Sequence, residues 1–95
     1  MIQRGTRVSL ARHARLRDDP RSGKLVLLAP ERALELNATG ARIAALCGQE
    51  STVGEIVDRL IAETDGSQPA GQVETEVLSF LRALEDRGLL IARGP

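Results

Sequence analysis

One stretch, KLVLLAPERALELNATGARIAALC at residues 24–47, constrains the fold of this chain more than any other. Its apolar run, residues 25–29, stops at Pro30, because proline fixes φ and has no N–H to donate to a sheet. The chain resumes at residues 32–36, where leucine alternates with alanine and glutamate. A period of two is typical of a half-buried strand. The stretch therefore predicts two antiparallel strands joined by a tight turn.

Helix signals follow the second of these strands. Asn37 is a favourable N-cap, and the apolar residues after it recur at helical spacing as far as Gly48. Further along, Thr52 and Glu55 have the spacing of a capping box. We predict a first helix at residues 38–47 and a second helix that opens at Thr52.

Two more apolar stripes and an apolar tail complete the chain. The stripe of the second helix comprises Val53, Ile56, Val57, Leu60 and Ile61. Pro69 suits the start of a third helix, which runs to about Arg87 and is ended by a left-handed Gly88. The stripe of this third helix comprises Val73, Val77, Phe80, Leu81 and Leu84. The apolar tail at residues 89–91 is expected to pack back on the core.

Upstream of the central stretch, residues 10–18 alternate in the manner of a strand with one solvated face. The turn-rich residues 18–23 join this strand to residues 24–29 as a hairpin. The predicted fold class is α+β, a three-stranded antiparallel sheet followed by three helices. We expect a flexible N-terminus at residues 1–9 and a single domain at residues 10–91.

The composition is that of a globular protein. Apolar residues make up 42% of the chain and charged residues 27%, which argues against disorder. No apolar run reaches the roughly 18 residues of a membrane span, and the N-terminus lacks the apolar core of a secretory signal. We therefore expect a cytoplasmic protein that does not contact a membrane.

Charge is distributed unevenly along the chain. Residues 1–47 carry nine Arg and Lys against four Asp and Glu, and residues 48–95 carry four against nine. One interpretation is that the basic half binds nucleic acid or an acidic peptide. The other is that the two halves pair with each other across the fold.

The sequence offers no catalytic constellation. His13 and Cys47 are the only histidine and the only cysteine, and a nucleophile pair also needs an orienting group and an oxyanion site. Cys47 lies among apolar helix positions, where a structural role is favoured. Zinc-ligand spacing and a glycine-rich phosphate loop are both missing. We predict no enzyme activity, no metal and no cofactor.

Residues 27–37, LLAPERALELN, resemble the central motif of the pyrroloquinoline quinone (PQQ) biosynthesis protein D family, PqqD. In that motif two apolar residues, a small or aromatic residue and Pro-Glu precede a strand that ends in Leu-Asn. Residues 10–18 look like the first strand of that family. The resemblance covers about residues 10–91 and continues through Ile43, Leu46, Cys47, Thr52, Val53, Glu55, Ile56, Val57, Leu60, Val77, Phe80, Leu81 and Gly88.

This resemblance implies a winged helix-turn-helix-like fold and a role as a RiPP recognition element. Such a domain is a peptide chaperone that binds the leader of a ribosomally made precursor peptide, here PqqA-like. It presents that peptide to a radical S-adenosylmethionine (SAM) enzyme, here PqqE-like. The implied mode is strand addition beside the third strand, against the last helix.

The residues themselves favour the same mode. The strand at 32–36 is the last of its sheet, so its outer N–H and C=O groups are free to pair with an extended peptide. We predict these peptide-binding residues: Arg32, Ala33, Leu34, Glu35, Leu36, Val73, Glu76, Val77 and Phe80. The alternative is that the four helical residues serve only the core and the helix surface. The edge also predicts some homodimer at high concentration.

A further expectation concerns the backbone of this edge. Of Ala33 and Glu35, we expect only one to direct its N–H at the ligand.

The alternative to peptide binding is that the chain is a winged-helix DNA-binding protein. The acidic residues of its third helix (Glu74, Glu76, Glu85 and Asp86) outnumber Arg82 and Arg87, and would repel phosphates. The sequence therefore favours peptide binding over nucleic-acid binding.

Overall fold

The computed structural model describes residues 2–94, which form antiparallel strands and three helices. The strands are β1 (Arg7–Leu10), β2 (Arg15–Asp18), β3 (Leu25–Ala29), β4 (Arg32–Glu35), β5 (Ser51–Thr52) and β6 (Leu90–Arg93). The helices are α1 (Ala38–Cys47), α2 (Val53–Thr64) and α3 (Ala70–Asp86). The expectation of antiparallel strands combined with three helices is confirmed.

One sheet, which we call the edge sheet, consists of the three predicted strands β2, β3 and β4, with β3 in the centre. Leu27 of β3 is opposite Leu16 on one side and Leu34 on the other, and it is fully buried. Pro30 and Glu31 form the turn between β3 and β4, with Glu31 at a φ of 66°. The apolar run and the proline stop therefore have the structure that the sequence predicts.

A second sheet, which we call the terminal sheet, consists of β5, β1 and β6, with β1 in the centre. Thr6 and Val8 are only 1% exposed. The prediction of a flexible segment at residues 1–9 is therefore wrong for the part that the structure describes; Met1 lies outside the described residues. The segment carries few apolar residues, and its burial depends on pairing with β6 at the opposite end of the chain, which no local pattern encodes.

The predicted strand at residues 10–18 is interrupted, which corrects that prediction. β1 ends at Leu10 and β2 begins at Arg15. Between them the N–H of Ala11 donates to the Leu89 carbonyl and the N–H of Ala14 donates to the Ala11 carbonyl, both at 2.9 Å. These bonds turn the backbone from the terminal sheet to the edge sheet.

The helix ends follow the local signals. Asn37 Oδ1 accepts the Gly40 N–H at 2.7 Å, and both bonds of the capping box between Thr52 and Glu55 are present. Gly88 has the predicted left-handed φ, at 72°. The predicted docking of the tail is confirmed, since residues 89 and 90 are buried and the tail forms β6.

Ion pairs join the basic first half of the chain to the acidic second half. Arg4 contacts Asp58 on α2 at 3.1 Å and Glu74 on α3 at 2.7 Å. Arg42 on α1 contacts Glu63 on α2 at 2.6 Å. The interpretation that the halves pair across the fold is confirmed for these residues. All of these side chains are exposed to solvent, which screens the pairs, so each adds little to stability.

The core lies where the stripes of the three helices meet the two sheets. Its largest fully buried side chains include Leu27, Ile43, Ile56, Leu81 and Leu84. Within residues 2–94, every buried side-chain polar atom has a hydrogen-bond partner, which removes the cost of burying it unpaired. Across the same range, no helix has both the length and the apolar character required to cross a bilayer.

Candidate functional site

The edge sheet has two edge strands, β2 and β4, and β4 is the one that lines a cavity against α3. Leu36 donates its N–H to the Leu25 carbonyl of the central strand at 3.0 Å. Backbone groups alternate along a strand, so Leu34 also turns its N–H and C=O toward β3, whereas Ala33 and Glu35 turn theirs outward. The expectation that only one of these two residues faces outward is wrong, because residues two positions apart share an edge.

Side chains of β4 divide between the two faces of the edge sheet. Leu34 is half-buried and Leu36 is 4% exposed, and both face α3. Ala33 lies on the opposite face, beside Val26 and Leu28 of β3. A strand added beside β4 would alternate in the same way, so every second ligand side chain would face α3.

The space between β4, the start of α1 and α3 forms what we call the edge groove, which consists of two adjoining cavities. The first has a volume of about 230 Å³ and is lined by Leu34, Glu35, Leu36, Asn37, Phe80, Ala83, Leu84 and Arg87. The second has a volume of about 410 Å³ and is lined by Asn37, Thr39, Gly40, Ile43, Gln68, Thr75, Glu76, Ser79 and Phe80. Because Asn37 and Phe80 line both, they mark the boundary between a mainly apolar cavity and one whose surface is more polar.

Phe80 is held at this boundary by a glycine. A β-carbon on Gly40 would lie 2.9 Å from Cε1 of Phe80, closer than side chains normally approach. The absence of a side chain at this position lets the ring pack against the first turn of α1. Phe80 remains half-buried, so part of its ring is available to a ligand.

The end of the edge groove nearest the start of β4 is basic. The guanidinium of Arg32 donates from Nη1 to the Arg87 carbonyl oxygen at 3.1 Å. This bond lays the Arg32 side chain over the last turn of α3, whose carbonyl groups carry partial negative charge. Both arginines are exposed.

The structure brings together most, but not all, of the predicted site residues. Val73 is 3% exposed and Val77 is fully buried, and both belong to the core. They line a different cavity of about 250 Å³, between the three helices, together with Glu76. Val73 and Val77 therefore occupy core positions, as the alternative interpretation expected. Glu76 and Phe80, in contrast, line the edge groove.

Sequence reasoning missed several residues that line the edge groove. They are Asn37, Thr39, Gly40, Ile43, Gln68, Thr75, Ser79, Ala83, Leu84 and Arg87. A usable signal exists in the spacing, because Glu76, Phe80, Ala83 and Arg87 recur at intervals of three and four and share one helix face. The apolar stripe of α3 lies on the neighbouring face, and the prediction of Val73 and Val77 as site residues followed from it.

No cysteine thiol and no cluster of metal ligands adjoins the groove in the part of the chain that the structure describes. Cys47 is fully buried, and burial raises the pKa of its thiol to about 12. The thiol therefore stays protonated at neutral pH, unlike a reactive cysteine. Residues 2–94 contain no group of three or more His, Cys, Asp and Glu side chains arranged to hold a metal ion.

Related sequences match this chain over almost its whole length. The family model for coenzyme PQQ synthesis protein D (PqqD) matches residues 24–90. The PqqA binding protein of Bradyrhizobium diazoefficiens is 34% identical over 94% of this chain and 84% of its own length. The PqqA binding protein of Xanthomonas axonopodis pv. citri is 33% identical over 94% of this chain and 95% of its own.

Solved structures agree with these matches. The PqqD part of Methylobacterium extorquens PqqCD, a stand-alone RiPP recognition element, has a TM-score of 0.80 and 28% identity, over 96% of this chain and 95% of that one. TbiB1 in complex with the TbiA(β) leader peptide has a TM-score of 0.76 and 28% identity, over 92% and 99%. The motif in residues 27–37 and the matched length together show that this chain belongs to the PqqD family.

Proposed function

We propose that this chain is a peptide chaperone of PQQ biosynthesis that binds a PqqA-like precursor peptide by strand addition to β4. The observation that carries the proposal is an unpaired strand edge that forms one side of a groove against α3. The names of its relatives, PqqA binding proteins, and the leader peptide bound to TbiB1 support the ligand class. We also propose that the fold is winged helix-turn-helix-like, and that the bound peptide extends the edge sheet by one strand beside β4.

Backbone pairing supplies only part of the affinity that we propose. Ala33 and Glu35 each offer one N–H and one C=O to the added strand, and each net hydrogen bond contributes about 0.5–1.5 kcal/mol. Ordering an extended peptide offsets much of this gain. Ligand side chains that enter the edge groove therefore supply most of the selectivity. Val73 and Val77 support the groove by holding α3 in the core.

We further propose that the chain delivers the bound peptide to a PqqE-like radical SAM enzyme in the cytoplasm and performs no chemistry itself. The raised pKa of the buried Cys47 thiol supports this, because it argues against the only candidate nucleophile pair. Replacement of Cys47 by Ala should leave modification of the peptide by the enzyme unchanged. A loss greater than about tenfold, in a variant with an unchanged circular dichroism spectrum, would assign the thiol a chemical role.

The DNA-binding alternative gains no support from the edge groove. Its α3 face carries Glu76 and neutral side chains along most of its length, with Arg87 at one end. Binding to random duplex at low salt should stay weaker than the micromolar range of non-specific binders. Submicromolar binding with a steep salt dependence would favour the alternative.

The decisive test of strand addition is a pair of proline substitutions on β4. Glu35→Pro removes an N–H that faces the open edge, so binding of a PqqA-like peptide should weaken about threefold to tenfold with the fold retained. The matched control, Leu34→Pro, removes an N–H that faces β3 and should destabilise the sheet instead. Binding is measured by NMR titration on variants first shown to be folded.

The same titration maps the binding surface. Amide shifts should cluster at residues 32–37 and at the groove face of residues 72–81. Shifts confined to residues 12–24, around the basic hairpin, would mean that charge attraction rather than strand addition governs binding. If some homodimer forms through the β4 edge, saturating peptide should dissociate it, and light scattering would follow this change.

A further inference from the structure

The two arginines at the basic end of the edge groove have no carboxylate partner within the described residues. Arg87 lines the 230 Å³ cavity, and the Arg32 guanidinium is held beside it by the 3.1 Å bond to the Arg87 carbonyl. Neither arginine forms an ion pair with a carboxylate in residues 2–94. Glu35 also lines this cavity, but its carboxylate is already paired with Lys24 at 3.3 Å. Glu85 and Asp86, which precede Arg87, line neither cavity of the groove. This end is therefore ready to receive a ligand carboxylate, for which Arg is well suited.

The other end of the edge groove is acidic. Glu76 is half-buried among neutral side chains, and its carboxylate forms no hydrogen bond or ion pair within the described part of the chain. Arg42 lines the neighbouring cavity with Glu76, but it is already bound to Glu63 through contacts of 2.6 and 3.0 Å. A half-buried glutamate whose carboxylate has no partner in the chain favours a cationic ligand group.

The distance between these ends matches a short extended peptide. Glu76 and Arg87 are separated by eleven residues of helix, or about 16 Å at 1.5 Å per residue. An extended strand advances about 3.3 Å per residue, so two side chains about four positions apart lie roughly 13 Å apart and point to the same face. Arginine and lysine side chains are long enough to cover the difference.

Resting on the proposed function, we propose that the edge groove selects its peptide by opposite charges at its two ends. A basic ligand side chain pairs with Glu76, an acidic one about four positions later pairs with Arg32 and Arg87, and an aliphatic side chain midway enters the apolar cavity. The basic residue comes first because an antiparallel ligand, the more stable arrangement, begins at the end of β4 that leads into α1.

The test is selection from a displayed library of random peptides of about a dozen residues, in parallel on the wild-type chain, Arg87→Glu and Arg82→Glu. The wild-type chain should enrich peptides that carry a basic residue and, about four positions later, an acidic one. Arg87→Glu should lose the preference for the acidic residue, and synthetic peptides of the wild-type motif should bind it about threefold to tenfold more weakly. Arg82→Glu is the matched control, because Arg82 lies on α3 outside the groove and its reversal should leave the motif unchanged.

Each outcome bears on a different level of the proposal. Enrichment of peptides that lack the charge pattern, or that carry it in the reverse order, would overturn charge selection while peptide binding stands. Equal effects of Arg87→Glu and Arg82→Glu would do the same. If no peptide is enriched and a PqqA-like precursor also fails to bind, the proposed function fails together with this inference. If library peptides with the motif bind and the precursor does not, charge selection stands and the PQQ assignment fails.

Discussion

Two adjacent faces of α3 differ in their chemistry and in what they contact. One face carries Val73, Val77, Leu81 and Leu84, all at most 3% exposed, and packs into the core. The adjacent face carries Glu76, Phe80, Ala83 and Arg87 and lines the edge groove. The first is uniformly aliphatic and closed, while the second is mixed in chemistry and partly open.

In α3 the regular apolar stripe marks the face that packs into the core, whereas the face that we propose binds the peptide has no such pattern. A face left for a ligand needs space, and here a small residue, Ala83, and a glycine on the facing helix, Gly40, supply it. It also needs unpaired charge, which Glu76 and Arg87 supply. The following substitutions test whether the two faces are separable.

The largest effect is expected on the core face. Leu81→Ala should lower the free energy of unfolding by about 2–5 kcal/mol, because it removes a fully buried side chain and leaves a cavity. Chemical denaturation measures this change. Peptide affinity of the folded fraction should stay within about twofold of wild type, since the side chain does not line the groove. A large loss of affinity at unchanged stability would contradict the separation of the faces.

Phe80→Ala should affect both properties, because its half-buried ring lies at the boundary between core and groove. The stability loss should be about 2 kcal/mol, roughly half that of a fully buried phenylalanine. Peptide affinity should also fall about tenfold, since part of the apolar surface offered to the ligand disappears. Denaturation and titration of the same preparation measure both. A variant with full affinity would place the ligand elsewhere.

Ala83→Leu should affect binding alone. Ala83 is exposed and lines the 230 Å³ cavity, so a leucine there fills space that a ligand side chain would occupy. Exclusion of one aliphatic ligand side chain should weaken binding about tenfold, while the free energy of unfolding changes by about 0.5 kcal/mol or less. Isothermal titration with a PqqA-like peptide gives the affinity. Unchanged binding would show that this cavity stays empty in the complex.

The smallest effect is expected from Gly40→Ala, which adds a β-carbon where the Phe80 ring packs against α1. The added β-carbon must displace the ring, at a cost of about 1 kcal/mol that the better helix propensity of alanine partly offsets. Stability should therefore change little. Displacement of the ring into the groove should weaken peptide binding about fivefold, the equivalent of about 1 kcal/mol. In the double variant with Phe80→Ala, the effect of Gly40→Ala on binding should disappear.

The sequence predicted the local features of the site well. The turn at Pro30, the caps at Asn37 and Thr52, and the left-handed Gly88 all depend on residues within a few positions of each other. The strand at 32–36 and the order of strands and helices along the edge sheet followed from the same short-range patterns. The identity of the edge strand could therefore be predicted, and membership of the PqqD family with it.

The tertiary structure alone decided which side chains meet. The terminal sheet pairs residues from the two ends of the chain, and neither β1 nor β6 has a pattern that names its partner. Likewise, only the packing of α3 against β4 shows that Arg32 reaches Arg87 while Val73 and Val77 turn into the core. Local hydrogen bonding and periodicity fix the elements, whereas the burial that orients one element on another is shared among residues far apart in sequence.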